Sequence, residues 1–303
     1  MRFAVIQTIY DAALKNKDIY FMTGDLNHVK ENEFKTVLCS QYFNAGVAEQ
    51  NMAGVAAGLA LSGKKVFIYS ITPFITMRCF EQIKSDICYP NLDVTVIGVG
   101  GGLIYGRYGN THCSIEDIAV MRTLPNMKVV CPANPLDAGT LTKQMLEIKG
   151  PAYIRIGRGK EPMPATGFPV KFGQAFIVKP GQDITIISTG TVLTEVEKTA
   201  ALLEEKGIST EIIHMHTVKP LDENAVRARI KKRRAIFTVE DHNIIGGLGS
   251  AVAEVVSENR SVIIFKRFGV RDLYLKEIGS QEYLRKKHGY SSAEMSRQIT
   301  ALI

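Results

Sequence analysis

Glu49 is the residue most suited to chemistry. It stands in Phe43-Asn44-Ala45-Gly46-Val47-Ala48-Glu49-Gln50-Asn51-Met52, near the start of a small apolar helix pattern that continues through Ala53, Gly54, Val55, Ala56, Ala57, Gly58, Leu59 and Ala60. A carboxyl group on such a face is costly to ionise unless a cation stands beside it. That makes it a candidate for proton chemistry. The same residue can be a first-turn glutamate stabilised by the helix dipole, and this helix alone leaves both readings open. His112 is a second candidate. It follows the glycine-rich run Gly98-Val99-Gly100-Gly101-Gly102 and the stretch Tyr105-Gly106-Arg107-Tyr108-Gly109-Asn110-Thr111. A histidine there can carry a proton or donate to a substrate, or be an incidental loop residue.

Other motifs carry less. Gly246-Gly247-Leu248-Gly249-Ser250 partly matches a dinucleotide fingerprint, but Val252 stands where the third glycine belongs and no acidic partner follows at the right distance. A tight turn with close packing is the better reading. His214 and His216 face one side of an extended segment without a third metal ligand nearby. There is no phosphate loop of the G-x-x-x-x-G-K-[ST] type and no G-D-G triplet.

These residues need a scaffold, and the sequence supplies an alternating one. Strand patterns are expected at 18–23, 36–42, 65–70, 93–99, 128–131 and 152–156, with helices near 3–16, 46–62, 74–88, 114–124 and 135–149. A Pro/Gly-rich stretch, 157–173, reads as a linker. A second alternation follows, with strands 183–188, 210–214, 235–240 and 261–265, helices 191–206, 222–230 and 248–258, and two short closing helices. Val/Ile-rich strands separated by helices indicate parallel sheets covered on both faces. The expected fold is α/β, two three-layer domains with mainly parallel sheets. The expected division is 1–160, a linker 161–172, and 173–303. In an open parallel sheet ligands bind at the carboxyl ends of strands, where the glycine-rich loop after 93–99 would lie.

The chain has 303 residues, 46% hydrophobic and 22% charged, enough for two domains. No run approaches the roughly 18–20 apolar residues of a membrane span, and the N-terminal residues show no signal-peptide pattern. A cytoplasmic protein without membrane association is expected. Five scattered cysteines with no C-x-x-C pair read as free thiols. The net charge of +7 includes the basic run 227–234, which reads as the solvated end of a helix. It lacks interleaved aromatics for base stacking, so nucleic acid is not an expected partner.

Taken in order, the motifs resemble the C-terminal half of transketolase over essentially the whole chain. Gly24-Asp25-Leu26 resembles that family's acidic turn after the first strand. Phe43 to Met52 resembles the segment with the cofactor-activating glutamate, which maps to Glu49. Tyr69-Ser70-Ile71-Thr72-Pro73-Phe74 resembles the aromatic segment that receives the aminopyrimidine of thiamine diphosphate. Asn110-Thr111-His112 resembles the P-T-H-Q turn. Residues 216–222 and 240–250 resemble the family's C-terminal domain. The resemblance implies a cofactor set of Asp25, Glu49, Tyr69, Phe74 and Arg78. It implies catalytic roles for Glu49 and His112, and substrate contacts from Arg2, Tyr108, His112 and Arg158. In that family the glutamate bonds a ring nitrogen of the aminopyrimidine. This favours the tautomer whose exocyclic nitrogen takes the proton of the thiazolium carbon. A two-carbon ketol unit then passes from a ketose phosphate to an aldose.

Two further implications concern what is missing. The family holds the diphosphate and Mg²⁺ with a separate G-D-G-bearing domain. Its absence implies a second, N-terminal-type subunit that holds the Mg²⁺, a shared thiamine diphosphate site, and a heterotetramer as family symmetry suggests. The histidine usual in the segment aligned with 98–102 is absent, and the acid usual four residues before His112 is Tyr108. The resemblance therefore implies a phosphorylated sugar recognised differently at its sugar end, with Arg2 and Arg158 as phosphate arginines. Alternatives are a deoxyxylulose-phosphate synthase-like half, a 2-oxo acid dehydrogenase β-like half, or a non-catalytic α/β binding protein.

Overall fold

Strand β1 (Ile19–Thr23) begins the first sheet, and its alternating residues pack against different helix layers. The computed structural model describes residues 1–159, 161, 168–259 and 262–303. The first sheet also contains β2 (Tyr42–Asn44), β3 (Lys65–Ile71), β4 (Val94–Val99), β5 (Lys128–Val130) and β6 (Ala152–Ile156). The second contains β7 (Phe176–Lys179), β8 (Ile184–Ser188) and β9 (Thr210–His214). After β10 (Thr217–Lys219), it continues with β11 (Ala235–Asn243) and β12 (Ile264–Val270). Among the described residues the orders are β10-β5-β6-β4-β3-β1-β2 and β12-β11-β8-β9-β7. All pairings are parallel except β10 with β5 and β7 with β9. The expected α/β class with mainly parallel sheets is the observed one.

The first sheet is apolar on both faces because both are covered. Val66, Ile68, Val94 and Val96 pack with Met52, Ala53 and Ala56 of helix Glu49–Leu61. Phe67, Tyr69, Ile97 and Ile154 face the other way, onto Val5, Ile6 and Ile9 of helix Arg2–Ala13 and Leu141 of helix Pro135–Glu147. From β1 the chain moves outward to β2, then returns to the other side of β1 as β3. The gap between the carboxyl ends of β1 and β3 is therefore the switch point, the natural crevice of an open parallel sheet.

Several expectations need correction. Residues 36–42 are not one strand: helix Glu31–Val37 occupies the first part, and β2 starts at Tyr42. The Glu31–Lys35 ion pair at 2.6 Å and the buried ring of Phe34 outweigh the β-leaning Thr36 and Val37. The helix expected at 74–88 is broken into wide π-helical turns, Phe74–Arg78 and Ile83–Cys88, around a short α-turn. The last strand starts at Ile264, and Ser261 lies outside the described residues, as do 162–167 of the expected linker. Strands β7 and β10 have no counterpart among the expected strands. Strand β10 follows β9 of the second sheet yet pairs with β5 in the first, stitching the two halves together.

Candidate active site

The switch-point crevice is built around Glu49. Its helix starts at Glu49 itself, and the side chain is 1% exposed. Gly24 closes β1 beneath it; a side chain there would press on Glu49 Cγ and Ser70 Oγ at 3.2 and 3.1 Å. Ser70, near the end of β3, donates to Glu49 Oε1 at 2.9 Å. Arg78 Nη1 donates to Glu49 Oε2 at 2.6 Å. Arg78 is thus the cation that stands beside the buried carboxyl group. Ser70 does not stand out in the sequence; its position near the end of a buried strand, beside the aromatic segment, is the available signal.

The π-helical turn after β3 presents Phe74 and Arg78 together. The Arg78 guanidinium carbon stands 4.5 Å from the Phe74 ring centre. His112 meets the same ring edge-on at 5.4 Å, and Thr111 Oγ1 lies 3.0 Å from its Nδ1. From His112 the wall continues to Tyr108 at 5.5 Å and Tyr105 at 6.4 Å. Arg158 closes the row, its guanidinium 5.5 and 5.6 Å from the centres of Tyr105 and Tyr108. The structure therefore brings Glu49, Phe74, Arg78, His112, Tyr108 and Arg158 into one connected row.

The glycine-rich loop is shaped by neighbours that leave no room for side chains. A methyl group on Gly100 would collide with the ring of Tyr105, one on Gly101 with Arg155, and one on Gly102 with the backbone of Asp241. Tyr105, absent from the expected site residues, thus fills the space above Gly100. Burial pushes its phenol up, against the opposing influence of Arg2 and Arg158.

Tyr69 and Asp25 are placed differently from the rest. Successive strand residues point to opposite faces, so Tyr69 lies on the face away from Ser70 and Glu49. It is fully buried, and its hydroxyl accepts from Arg2 Nε at 2.6 Å. Its contact positions Arg2 instead of lining the Glu49 crevice. Arg2 also donates to the Asn27 carbonyl, so part of its fork is already used. Asp25 is exposed, with φ of 51°, and its amide donates to Asn44 Oδ1 at 3.2 Å.

The remaining motifs resolve into packing. Glu240 accepts from the amides of Leu248 and Gly249 at 2.8 and 2.7 Å, capping that helix with a carboxylate of the chain itself. Gly247 makes room for that carboxylate, so the glycine-rich turn is a close-packed cap. His214 and His216 are fully buried; His214 Nε2 lies 3.4 Å from Asp137, and no group of three metal-capable side chains occurs among the described residues. In the basic run, Arg227 pairs with Glu223 and Glu258, and Arg229 and Arg233 with Glu211. Among the described residues, no helix is long and apolar enough to cross a membrane.

A buried carboxylate at the switch point of a parallel sheet, flanked by an aromatic face and followed by a second α/β sheet, defines an α/β protein with a candidate ligand site at the strands' carboxyl ends. The transketolase pyrimidine-binding domain family matches residues 1–163, and the transketolase C-terminal domain family residues 173–295. A putative transketolase C-terminal section from Methanocaldococcus jannaschii is 36% identical, over 99% of this chain and 95% of the relative. A subunit of the apulose-4-phosphate transketolase from Phocaeicola vulgatus is 37% identical, over 85% of this chain and 84% of the relative. A solved split-gene transketolase, an inactive β4 tetramer, superposes with a TM-score of 0.89 at 34% identity, over 99% of this chain and 96% of that one. The chain belongs to the transketolase family of thiamine-diphosphate-dependent transferases and corresponds to the pyrimidine-binding and C-terminal domains.

Proposed function

We propose that this chain is one subunit of a split transketolase that transfers a two-carbon ketol unit from a ketose phosphate to an aldose. A second subunit would hold the diphosphate and Mg²⁺, in a heterotetramer working in cytoplasmic carbohydrate metabolism. The observation that carries the reading is Glu49, buried at the switch point with an aromatic face beside it. Relatives described as transketolase sections and subunits, matched along most of their length, support it. Five free thiols, four of them buried, suit a reducing compartment. We divide the chain into a pyrimidine domain at 1–160, a linker at 161–172 and a C-terminal domain at 173–303.

The groups present suit a planar aminopyrimidine: the buried Glu49 carboxylate offers an acceptor, and Phe74 offers a ring face that here carries a planar guanidinium. Thiamine diphosphate, once bound, supplies the carbon nucleophile and electron sink for ketol transfer. Glu49 Oε2 offers the acceptor for the ring nitrogen, and Ser70 fixes the orientation of the carboxylate through Oε1. Phe74 would offer its face to the ring, Asp25 would border it, and Tyr69 supports the site through Arg2; Arg78 holds Oε2 here and would have to yield that oxygen. His112, edge-on to Phe74, moves a proton to or from the substrate oxygen nearest the cofactor. Arg158, with Tyr108 beside it, receives the phosphate end; Arg2 contributes the part of its fork that Tyr69 and Asn27 leave free.

The test is Glu49→Ala in the complex assembled with a G-D-G-bearing subunit. Ketol transfer should fall by at least two orders of magnitude, as for loss of a catalytic proton-transfer group, with assembly retained. Near-normal turnover in the assembled variant sinks the reading.

A further inference from the structure

The Glu49 crevice already holds a ligand, and that ligand belongs to the chain. Arg78 donates to Glu49 Oε2 at 2.6 Å while its guanidinium lies 4.5 Å from the centre of Phe74. A guanidinium is planar, presents N–H donors at its edge and stacks on aromatic faces. A cofactor aminopyrimidine has the same description, and on the proposed reading it would use the same carboxylate and the same ring face. Both groups cannot occupy that volume together.

Three features make Arg78 an occupant able to leave. Its side chain is 40% exposed, whereas Glu49 is 1% exposed, so the outer half of the contact already opens to solvent. Among the described residues Glu49 is its only hydrogen-bond partner. It sits at the end of the π-helical turn Phe74–Arg78, which carries it beside Phe74 on one short segment. Ser70 bonds the other carboxylate oxygen, Oε1, so Glu49 has a second donor that Arg78 does not supply.

Resting on the cofactor reading above, the geometry points to Arg78 as an internal ligand of the pyrimidine site, standing where the aminopyrimidine belongs and swinging out to admit it. The site's ligand class is the planar group with N–H donors at its edge: guanidines, amidines and aminopyrimidines. The chain by itself then refuses the cofactor for two reasons, the missing diphosphate site and the filled pyrimidine site. If the site stands open in 1–10% of molecules, the apparent affinity for the ring falls by about 10- to 100-fold.

The experiment uses the full chain and two probes, thiamine and methylguanidinium. Calorimetric titration of thiamine into Arg78→Ala should show affinity about 10- to 100-fold above that of the unaltered chain. Methylguanidinium should bind the variant alone, shift the Phe74 ring resonances and compete with thiamine. Arg78→Met, which keeps the stem over Phe74, replaces the alanine variant if that one fails to fold. Unchanged thiamine affinity in a variant with a native amide spectrum overturns the proposal. Weakened affinity overturns it too, and assigns Arg78 to the groups that hold the cofactor. If thiamine binds neither chain while methylguanidinium still fills the variant, the internal ligand stands and the cofactor reading falls. If thiamine binds both chains equally, the cofactor reading stands and the internal ligand falls.

Discussion

Arg155 Nη2 donates to the backbone carbonyl of Asp241 at 2.8 Å, so a side chain from the first sheet ends on the main chain of the second. The same guanidinium pairs with Asp117, 2.8 Å from its Nε, and bonds the Ser114 carbonyl at 3.1 Å. It also fills the space that a side chain on Gly101 would need, in the loop leading to Tyr105 and His112. Beyond it, Asp241 is held by Arg285 Nε at 2.9 Å and by Tyr290 at 3.3 Å. The glycine-rich loop at the candidate site is therefore clamped from both sheets through buried charge.

Removing Arg155 should show how much that clamp matters. Among the described residues, Arg155→Met leaves Asp117 buried with only the Tyr153 side chain donating to it, at 2.6 Å. Breaking one side of a buried pair costs about 3–5 kcal/mol. Urea unfolding should lose that stability, and Arg155→Met combined with Asp117→Leu should lose less than the sum of the single changes. Full additivity would remove the pair from the account.

Glu240 and Gly247 offer a second coupled pair. Glu240→Ala strips two charge-assisted bonds from the helix start and should cost about 2–3 kcal/mol. Gly247→Ala drives a methyl group into the Glu240 carboxylate and should destabilise by about 1–3 kcal/mol. With the carboxylate gone the closest clash is relieved and His242 Nδ1, at 2.8 Å, is the remaining one, so the double variant should lose less than the two losses added. Thermal unfolding of the four proteins tests it; independent effects would rule out the steric link.

Strand positions were legible because buried parallel strands are nearly continuous Val/Ile runs, as in β3, β4 and β8. Glu49 was legible because one carboxylate stands out among alanines and glycines. What escaped depends on contacts distant in sequence. The helix Glu31–Val37 is held by Phe34 in the core and by the Lys35 pair, while the side chain of Gln41 bridges the carbonyls of Ala13, Asn16 and Ile19 before β2 begins. The three residues of β10 form a strand only because β5 lies beside them. The Arg78–Glu49 contact spans 29 positions and has no periodic signature. In the sequence Tyr105 is one loop aromatic among several; only the fold places its ring over Gly100.

His216 gives a pH prediction. Burial, with His214 next in effect, lowers its pKa from 6.5 to about 3. The folded chain therefore keeps it neutral where the unfolded chain takes up a proton. Its contribution is fully present above about pH 6.5 and is lost as pH falls toward 3, at about 1.4 kcal/mol per pH unit. His216→Asn should flatten the acid limb of the stability profile by that slope between pH 6 and about 4. Unfolding at several pH values measures it, and parallel limbs for the two proteins would contradict it.

Tyr105 gives the specificity prediction. Its ring lies over Gly100 and beside Tyr108, with Arg158 stacked against it. On the proposed path from Phe74 to Arg158 it stands between the cofactor end and the phosphate end. A phenol there has one hydroxyl to offer a sugar and a large apolar face. Tyr105→Phe keeps the ring packing and should leave stability within about 0.5 kcal/mol. If the hydroxyl reads a sugar hydroxyl, the assembled enzyme should lose about 10-fold or more in kcat/KM for substrates bearing it, and far less for analogues lacking it. Tyr105→Ala should instead cost about 3–5 kcal/mol by opening a cavity above Gly100. A panel of ketose and aldose phosphates, assayed with both variants, separates recognition from packing. An equal loss across the panel in the phenylalanine variant would reduce Tyr105 to a support for the loop.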